Sequence, residues 1–181
     1  MKAALKIVKK DGWNALSMRK IADEIDYTAP VIYEYFTCKE SLIAELSNTG
    51  YLLLASKIRE AKKTAASPAK QVEAMWLAYW KFAFSKKELY RVMYGVETNC
   101  SKPKGTATSA EEVTSLFTEV IAQLMTSRNV NENEINAKYY TFWSVVHGLI
   151  SINMVQKGKS DDINQRVLQE AITGIITSIS H

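Results

Sequence analysis

The sequence predicts an all-α protein in which a small three-helix head precedes a larger helical bundle, with about nine helices in total. The 181 residues include only seven Gly and three Pro, so few positions interrupt a helix. Long stretches repeat their apolar residues every three or four positions, and no stretch alternates apolar and polar residues as a strand would. Apolar residues make up 47% of the chain, which is enough to fill a large core.

Residues 3–10 predict the end of a first helix. Asp11-Gly12 ends it, because glycine readily adopts the left-handed backbone that closes many helices. We expect Trp13 and Leu16 to fill the space between this helix and the next.

A pair of short helices follows. Ser17 is expected to cap the first, and Asp26-Tyr27 interrupts it after two turns. Thr28 is expected to cap the second, in whose first turn Pro30 fits because the first N–H groups of a helix lack intrahelical partners. Two helices this short bury too little surface to be stable alone. The pair therefore indicates a helix-turn-helix, which lays its second helix in the major groove of DNA.

A long helix is predicted from Lys39 to about Lys63, and its length suits a lever between head and body. The body begins at Ser67-Pro68, a capping residue followed by proline. Residues 95–109 form the only long polar loop, and loops of that length are usually functional or mobile. The remaining helices are predicted over residues 68–84, 88–94, 111–128, 132–157 and 162–180.

The charge distribution does not by itself indicate nucleic-acid binding. The net charge is +4, but residues 1–47 contain seven Lys/Arg and seven Asp/Glu, so the excess lies in residues 48–181. Binding to phosphates would have to come from the placement of individual cations in the head. The candidates are Lys2, Arg19, Lys20 and Lys39.

The last two predicted helices carry more apolar surface than one neighbouring helix needs. Since monomers rarely expose large apolar patches, this surplus predicts a homodimer. The alternative is that both helices are simply central within one chain. The predicted interface residues are Leu149, Ile152, Leu168, Ile172, Ile175 and Ile179.

The chain has no signal peptide and no run of eighteen uncharged apolar residues, so we expect a cytoplasmic protein without a membrane partner. Cys38 and Cys100 are too few and too isolated for a disulfide framework or a metal site, and neither is expected to carry chemistry. No cofactor and no metal are predicted.

An enzyme is the competing class, and the sequence offers it little support. There are two His, and no Cys/His cluster, Gly-rich phosphate loop or pair of acids on a common helical face near a pocket. We therefore predict that the protein is not an enzyme. A helical scaffold that binds only protein is a further alternative, but it would leave the short helices over residues 17–36 without a role.

Gly12 to Leu46, with LSMRKIADEID, YTAPVIYEYF and CKESLIAEL, resembles the DNA-binding head of tetracycline-repressor-like (TetR family) regulators. Family members usually have Gly in the tight turn, where Asp26 stands here. Asp tolerates a left-handed backbone better than most residues. Members also begin earlier, with a basic arm and a full first helix, so contacts from such an arm are left open. Trp143, His147 and Gly148 resemble the Trp-x-x-x-His-Gly signature of one subgroup.

The resemblance implies a helix-turn-helix DNA-binding domain over residues 1–46 and a ligand-binding and dimerisation domain over residues 47–181. It implies that Ala29 and Pro30 face base edges of double-stranded operator DNA, where they offer apolar contact only. Tyr35 is expected nearer the core than Tyr33, and packing alone is the alternative role for either. The implied DNA-binding residues are Ser17, Arg19, Thr28, Ala29, Pro30, Tyr33, Tyr35 and Lys39.

The resemblance also implies a repressor that a small, largely apolar or aromatic ligand releases from its operator. The alternatives are a protein-binding scaffold and a ligand-binding protein that does not bind an operator. Aromatic residues at helical spacing can equally form an ordinary core, and His147 can be an ordinary hydrogen-bonded core residue. The implied ligand-binding residues are Met75, Trp76, Tyr79, Met93, Tyr94, Phe117, Tyr139, Trp143 and His147.

Overall fold

A computed structural model describes residues 1–95, 106–125, 130–155 and 161–180 of the chain. Within these ranges the chain forms nine α-helices and a 3₁₀ helix over Trp13–Ala15, and contains no strand, which confirms the predicted all-α class. The α-helices are α1 (Lys2–Asp11), α2 (Met18–Glu24), α3 (Ala29–Tyr35), α4 (Lys39–Lys63), α5 (Pro68–Ser85), α6 (Lys87–Gly95), α7 (Thr106–Leu124), α8 (Glu132–Val155) and α9 (Asp161–Ser180). No helix in these ranges combines the length and apolarity that crossing a membrane requires.

The helix boundaries agree with the predicted ones, with one substantial exception. α7 begins at Thr106, whereas the sequence predicts a polar loop up to residue 109. The reason is that Thr, Ala and Ser penalise helix formation only weakly, so a helix anchored further along by its apolar residues extends back through them. α7 also ends at Leu124, earlier than the predicted end at Arg128. Arg128 itself and the predicted end of α8 at Lys157 lie outside the described residues.

The chain divides into two compact units. The first consists of Met1–Leu53 and Ser85–Ala110, and the second of Leu54–Phe84 and Glu111–His181. Helix α6 therefore belongs to the same unit as the head. The predicted domain boundary after residue 46 stays a prediction.

The core of the first unit is formed by apolar residues of α1 to α4 and of α6. Ala4 and Ile7 of α1 lie against α2, whose Met18 and Ile21 are also buried. Ile32 is the buried residue of α3, which packs mainly on α2. Because one side of α3 contacts the rest of the unit, its opposite side is open to solvent.

The second unit is organised around the indole ring of Trp76, which is fully buried. The ring centroid of Trp76 lies 4.0 Å from that of Phe117 and 5.7 Å from that of Phe142. Helices α8 and α9 are joined by a reciprocal pair of side-chain amides. Asn164 Nδ2 donates to Asn153 Oδ1 at 2.8 Å, and Asn153 Nδ2 donates to Asn164 Oδ1 at 3.2 Å. This pair sets the position of one helix along the other.

Candidate DNA-binding surface and ligand-binding cluster

The start of α2 has the predicted cap. The backbone N–H of Lys20 donates to the Ser17 hydroxyl at 3.2 Å, which satisfies one of the free donors of the first turn. Ser17 and Arg19 are both exposed. Their side chains are therefore open to solvent at the beginning of the helix-turn-helix.

The turn between α2 and α3 depends on Asp26. Asp26 has φ 57, and it is the only residue other than glycine with a positive φ in the described ranges. The Tyr27 N–H donates to the Ala22 carbonyl at 2.9 Å, which closes the end of α2. Asp26 therefore takes the left-handed conformation expected of a glycine at this position, as the sequence predicted. Gly12 also has positive φ, but its ψ of 169 places it outside the left-handed helical region.

Thr28 does not cap α3 in the predicted way. It occupies the N-cap position, but its side chain accepts no capping hydrogen bond. The reason is local: Pro30 has no N–H, and the Val31 N–H donates to the Thr28 carbonyl at 3.1 Å. The prediction of a side-chain cap was wrong, and the Thr28 hydroxyl lies exposed.

The outer side of α3 carries two exposed tyrosines. Tyr33 is 52% exposed and Tyr35 is 77% exposed. The prediction that Tyr35 lies nearer the core than Tyr33 was therefore wrong. α3 ends at Tyr35 and the next residue is extended. The Tyr35 ring therefore lies at the C-terminal end of α3, where it is largely open to solvent. Pro30 is exposed and Ala29 is half-buried at the start of the same helix.

Lys39, the first residue of α4, is half-buried beside the head. Its ammonium group donates to the Trp13 carbonyl at 3.2 Å. An ammonium group has three N–H donors, so this bond leaves others for a second acceptor. The bond also orients the side chain, which lowers the entropy that a phosphate contact would cost.

Two acidic residues of the head are paired with cations of the head. Glu24 accepts from the Lys6 ammonium, and Asp11 lies 3.8 Å from that of Lys20. Glu34, on α3, is exposed and has no hydrogen bond or ion pair with the residues that the structure describes. Glu34 is not among the site residues predicted from the sequence. Its spacing of four residues from Pro30 was the signal that could have identified it.

Cys38 lies in the connection between α3 and α4 and is disulfide-bonded. This single bond was not predicted from the sequence, which has too few cysteines for a disulfide framework. A small number of cysteines does not exclude a single disulfide bond, because such a bond requires only that two thiols meet in the fold. Cys100 lies outside the described residues.

Seven of the predicted ligand-binding residues belong to the second unit. Met75, Trp76, Tyr79, Phe117 and Tyr139 are buried, and Trp143 and His147 are half-buried. Trp76, Tyr79, Phe117, Tyr139 and Phe142 form one group of contacting rings, here called the aromatic cluster. Met93 and Tyr94 lie on α6 in the first unit, where Met93 is buried and Tyr94 is half-buried.

The polar atoms of this region are satisfied to different degrees. The Trp143 indole N–H donates to the Tyr79 hydroxyl at 3.2 Å. Burial raises the pKa of Tyr139, whose hydroxyl accepts from Thr114 at 3.4 Å. The indole N–H of Trp76 is buried and has no acceptor among the described residues. A buried donor without an acceptor is uncommon, because it has lost its hydrogen bond to water without gaining another.

His147 lies against Trp143, with the ring centroids 4.7 Å apart and the planes 16° apart. Burial lowers the pKa of His147. The neutral imidazole is therefore the form that the folded protein favours.

The predicted interface residues differ in how far they are buried. Leu168 and Ile172 are fully buried and Ile179 is 5% exposed, so these three contribute to the chain's own core. Ile152 is 57% exposed, while Leu149 and Ile175 are half-buried. One side of α9 is therefore buried within the chain itself, although its residues were predicted to contact a second chain.

Other apolar residues of α8 and α9 are exposed. Together with Ile152 they form what is here called the α8/α9 apolar face: Val145, Ile152, Val155, Ile163 and Val167. Val155 is 85% exposed, the largest exposed fraction in this group. The Asn153–Asn164 amide pair lies beside it and holds the two helices together. Sequence alone did not separate these residues from the buried ones of the same helices.

A head of three short helices whose third helix exposes its outer side, followed by a helical body, defines a DNA-binding regulator of the helix-turn-helix class. Residues 1–46 match the bacterial regulatory proteins of the tetR family, and residues 72–174 match the tetracyclin repressor-like C-terminal domain. The chain belongs to the TetR family. No curated protein matched the sequence.

Solved structures show the same fold at low sequence identity. A protein of unknown function from Rhodococcus sp. RHA1 is 18% identical with a TM-score of 0.84, covering 99% of this chain and 93% of its own. The TetR family regulator PfmR from Thermus thermophilus is 15% identical with a TM-score of 0.73, covering 97% and 96%. A tetR family regulatory protein from Rhodococcus RHA1 is 20% identical with a TM-score of 0.70, covering 96% and 93%.

Proposed function

We propose that this protein is a homodimeric repressor that binds double-stranded operator DNA and is released by a small, largely apolar or aromatic ligand. The observation that carries the proposal is the exposed outer side of α3, supported from behind by α2 and by the left-handed turn at Asp26. A two-turn helix held in this way has the geometry of a recognition helix in the major groove.

In the proposed complex, Ala29 and Pro30 at the start of α3 lie against base edges. The groups proposed to contact the phosphates are hydroxyls and cations that the structure leaves in part exposed to solvent. These are Ser17, Arg19, Thr28, Tyr33, Tyr35 and Lys39. Because the head has equal numbers of basic and acidic residues, affinity would come from these placed groups.

The proposed dimer interface is the α8/α9 apolar face. Exposed apolar patches of this kind usually bind another surface, and a second copy of the face is the partner that two-fold symmetry provides. Gly148 and Gly174 support this assignment. They lie on the same sides of α8 and α9 as Ile152 and Val167, four and seven residues away. Nothing lies within 4 Å of a Cβ atom built at either glycine, so a partner helix could approach closely.

The proposed ligand site is the aromatic cluster together with Trp143 and His147. The uncompensated indole N–H of Trp76 supports it, because a ligand with a hydrogen-bond acceptor could satisfy this donor. The surrounding rings favour a flat or apolar ligand. The ligand would have to displace rings that now contact each other. Such a displacement is a change that could alter operator affinity.

The direct test is titration of labelled DNA from the region flanking the protein's own gene, measured by fluorescence anisotropy. A scrambled duplex of the same length and composition is the control. We expect specific DNA to bind at least about 1,000-fold more tightly than the scrambled duplex at physiological salt. Equal affinity for this DNA, and for duplexes selected from a random pool, would contradict operator binding.

A further inference from the structure

The exposed side of α3 carries one ionised group, the carboxylate of Glu34. We propose that Glu34 reads a cytosine in each half of the operator by accepting a hydrogen bond from its exocyclic N4 amino group. This inference rests on the proposed operator binding and names a specificity-determining residue within it.

The first step is the position of Glu34 on the helix. Ile32 is the buried residue of α3 and marks the side that faces the head. At about 100° per residue, Pro30 and Glu34 each lie roughly 160° from Ile32 around the helix axis. They therefore share the side opposite the core. Pro30 has no hydrogen-bonding side chain, so Glu34 is the polar residue at the centre of this side.

The second step is the absence of a partner for the carboxylate. Two acidic residues of the head, Glu24 and Asp11, lie beside lysines. Glu34 has no such neighbour among the residues that the structure describes. Its carboxylate is therefore free to accept hydrogen bonds from another molecule.

The third step is the chemistry of the major groove. A carboxylate only accepts hydrogen bonds, and phosphates repel it, so it weakens binding unless a donor compensates. Cytosine presents its N4 amino group as a donor. Adenine presents its N6 donor beside the N7 acceptor, which repels a carboxylate, whereas guanine presents the N7 and O6 acceptors and thymine presents O4 and a methyl group. A free carboxylate at the centre of the reading side therefore favours cytosine and penalises guanine and thymine.

The experiment is selection of operators from a randomised DNA pool by the full-length wild-type protein, followed by selection with Glu34→Gln and Glu34→Ala. Wild type should enrich symmetric half-sites with cytosine at one position in each, preferred about 5- to 150-fold over guanine or thymine. Glu34→Gln should move that preference to adenine, whose N6 and N7 atoms pair with a glutamine amide. Glu34→Ala should remove the preference and leave the other positions unchanged.

The control is Asp23→Asn on α2, which makes the same change in charge at another exposed position of the head. It should raise affinity for all sequences alike, because it only removes a repulsion from the phosphates. If Glu34→Gln behaves in the same way, or if wild type enriches adenine, guanine or thymine at every position that Glu34→Gln alters, the inference is wrong. If wild type enriches no sequence, operator binding itself fails, and the inference fails with it.

Discussion

A Cβ atom at Gly50 would lie 2.6 Å from the sulfur of Met93, because α4 and α6 approach each other closely at this point. One residue along α4, the Tyr51 hydroxyl donates to the Met93 carbonyl at 3.3 Å. The ring of Tyr51 also meets that of Tyr94 edge to face, with centroids 5.9 Å apart. Helix α6 is thus attached to α4 by packing and by a hydrogen bond within the same compact unit.

We expect Gly50→Ala to lower the free energy of unfolding by about 1 kcal/mol. Displacing the Met93 side chain costs about 1–3 kcal/mol. The better helix propensity of alanine returns about 0.5–1 kcal/mol. Chemical denaturation of both single variants and of the double variant with Met93→Ala measures the coupling. We expect Gly50→Ala to cost less once Met93 is shortened, and purely additive effects would show that the two residues do not clash.

Lys39→Ala should weaken binding to all DNA sequences alike and lower the slope of log affinity against log salt by about one unit. The reason is that the variant lacks the ammonium group, which the Trp13 carbonyl orients, and therefore loses one proposed phosphate contact. Anisotropy titrations over a range of salt concentrations measure both quantities. Lys81→Ala, an exposed lysine of α5, is the control and should leave the slope unchanged. A changed base preference with an unchanged slope would mean that Lys39 does not contact a phosphate.

Glutamate at both Ile152 and Val167 should give folded monomers with severely weakened operator binding. Both residues are exposed in the single chain, so the charges cost little until a second chain covers them. Analytical ultracentrifugation gives the association state, and circular dichroism gives the fold. Ile172→Glu is the matched contrast: this residue is fully buried, so the variant should lose stability rather than association alone. A double variant that still sediments as a dimer would exclude the α8/α9 apolar face as the interface.

The stability of the protein should decrease as the pH falls below about 6.5, the ordinary pKa of a histidine. Burial lowers the pKa of His147 in the folded state, so between that lowered pKa and 6.5 the unfolded chain binds the extra proton. The contribution of neutral His147 to the free energy of unfolding is therefore complete above the pKa of the unfolded state. It is lost as the pH falls toward the lower pKa of the folded state. Thermal unfolding from pH 5 to pH 8 measures this. His147→Gln should flatten the dependence in this window, and an unchanged curve would contradict it.

A small molecule that binds the proposed ligand site should weaken operator binding, and operator DNA should weaken its binding by the same factor. A coupling of about 1–3 kcal/mol is ordinary, which corresponds to about 5- to 150-fold. Thermal-shift screening identifies a ligand, and operator affinity is then measured with and without it. Trp76→Phe should bind an acceptor-bearing ligand less tightly, because it removes the indole N–H. A ligand that depends on Trp76 and leaves operator affinity unchanged would contradict the release mechanism.

The recognition of the short helices from sequence depended on local chemistry. Ser17 caps α2 through a bond to a residue three positions away, and Asp26 supplies a left-handed turn through its own backbone. Both effects act within a few residues, so the sequence around each position contains the information. The start of α4 at Lys39 and its end at Lys63 were predicted for the same reason.

The positions of side chains around the helices were predicted less well. Tyr35 was expected nearer the core and is 77% exposed. Thr28 is the N-cap residue of α3, as expected, but its side chain makes no capping hydrogen bond. On α9, apolar residues occur on more than one side, so spacing alone did not distinguish buried Leu168 from exposed Val167. Exposure of a residue depends on which side of its helix a neighbour covers, and that neighbour is distant in sequence.

Periodicity, capping and turn residues act locally, and they predicted the all-α class, the helix-turn-helix and its left-handed turn, while the resemblance of residues 12–46 indicated the family. Which residues of each helix face solvent follows from the tertiary structure. It left the Glu34 carboxylate without a partner, the Trp76 indole N–H without an acceptor among the described residues, and an apolar face on α8 and α9. These features arise from contacts between distant segments, whose free energies depend on the packing of the whole fold.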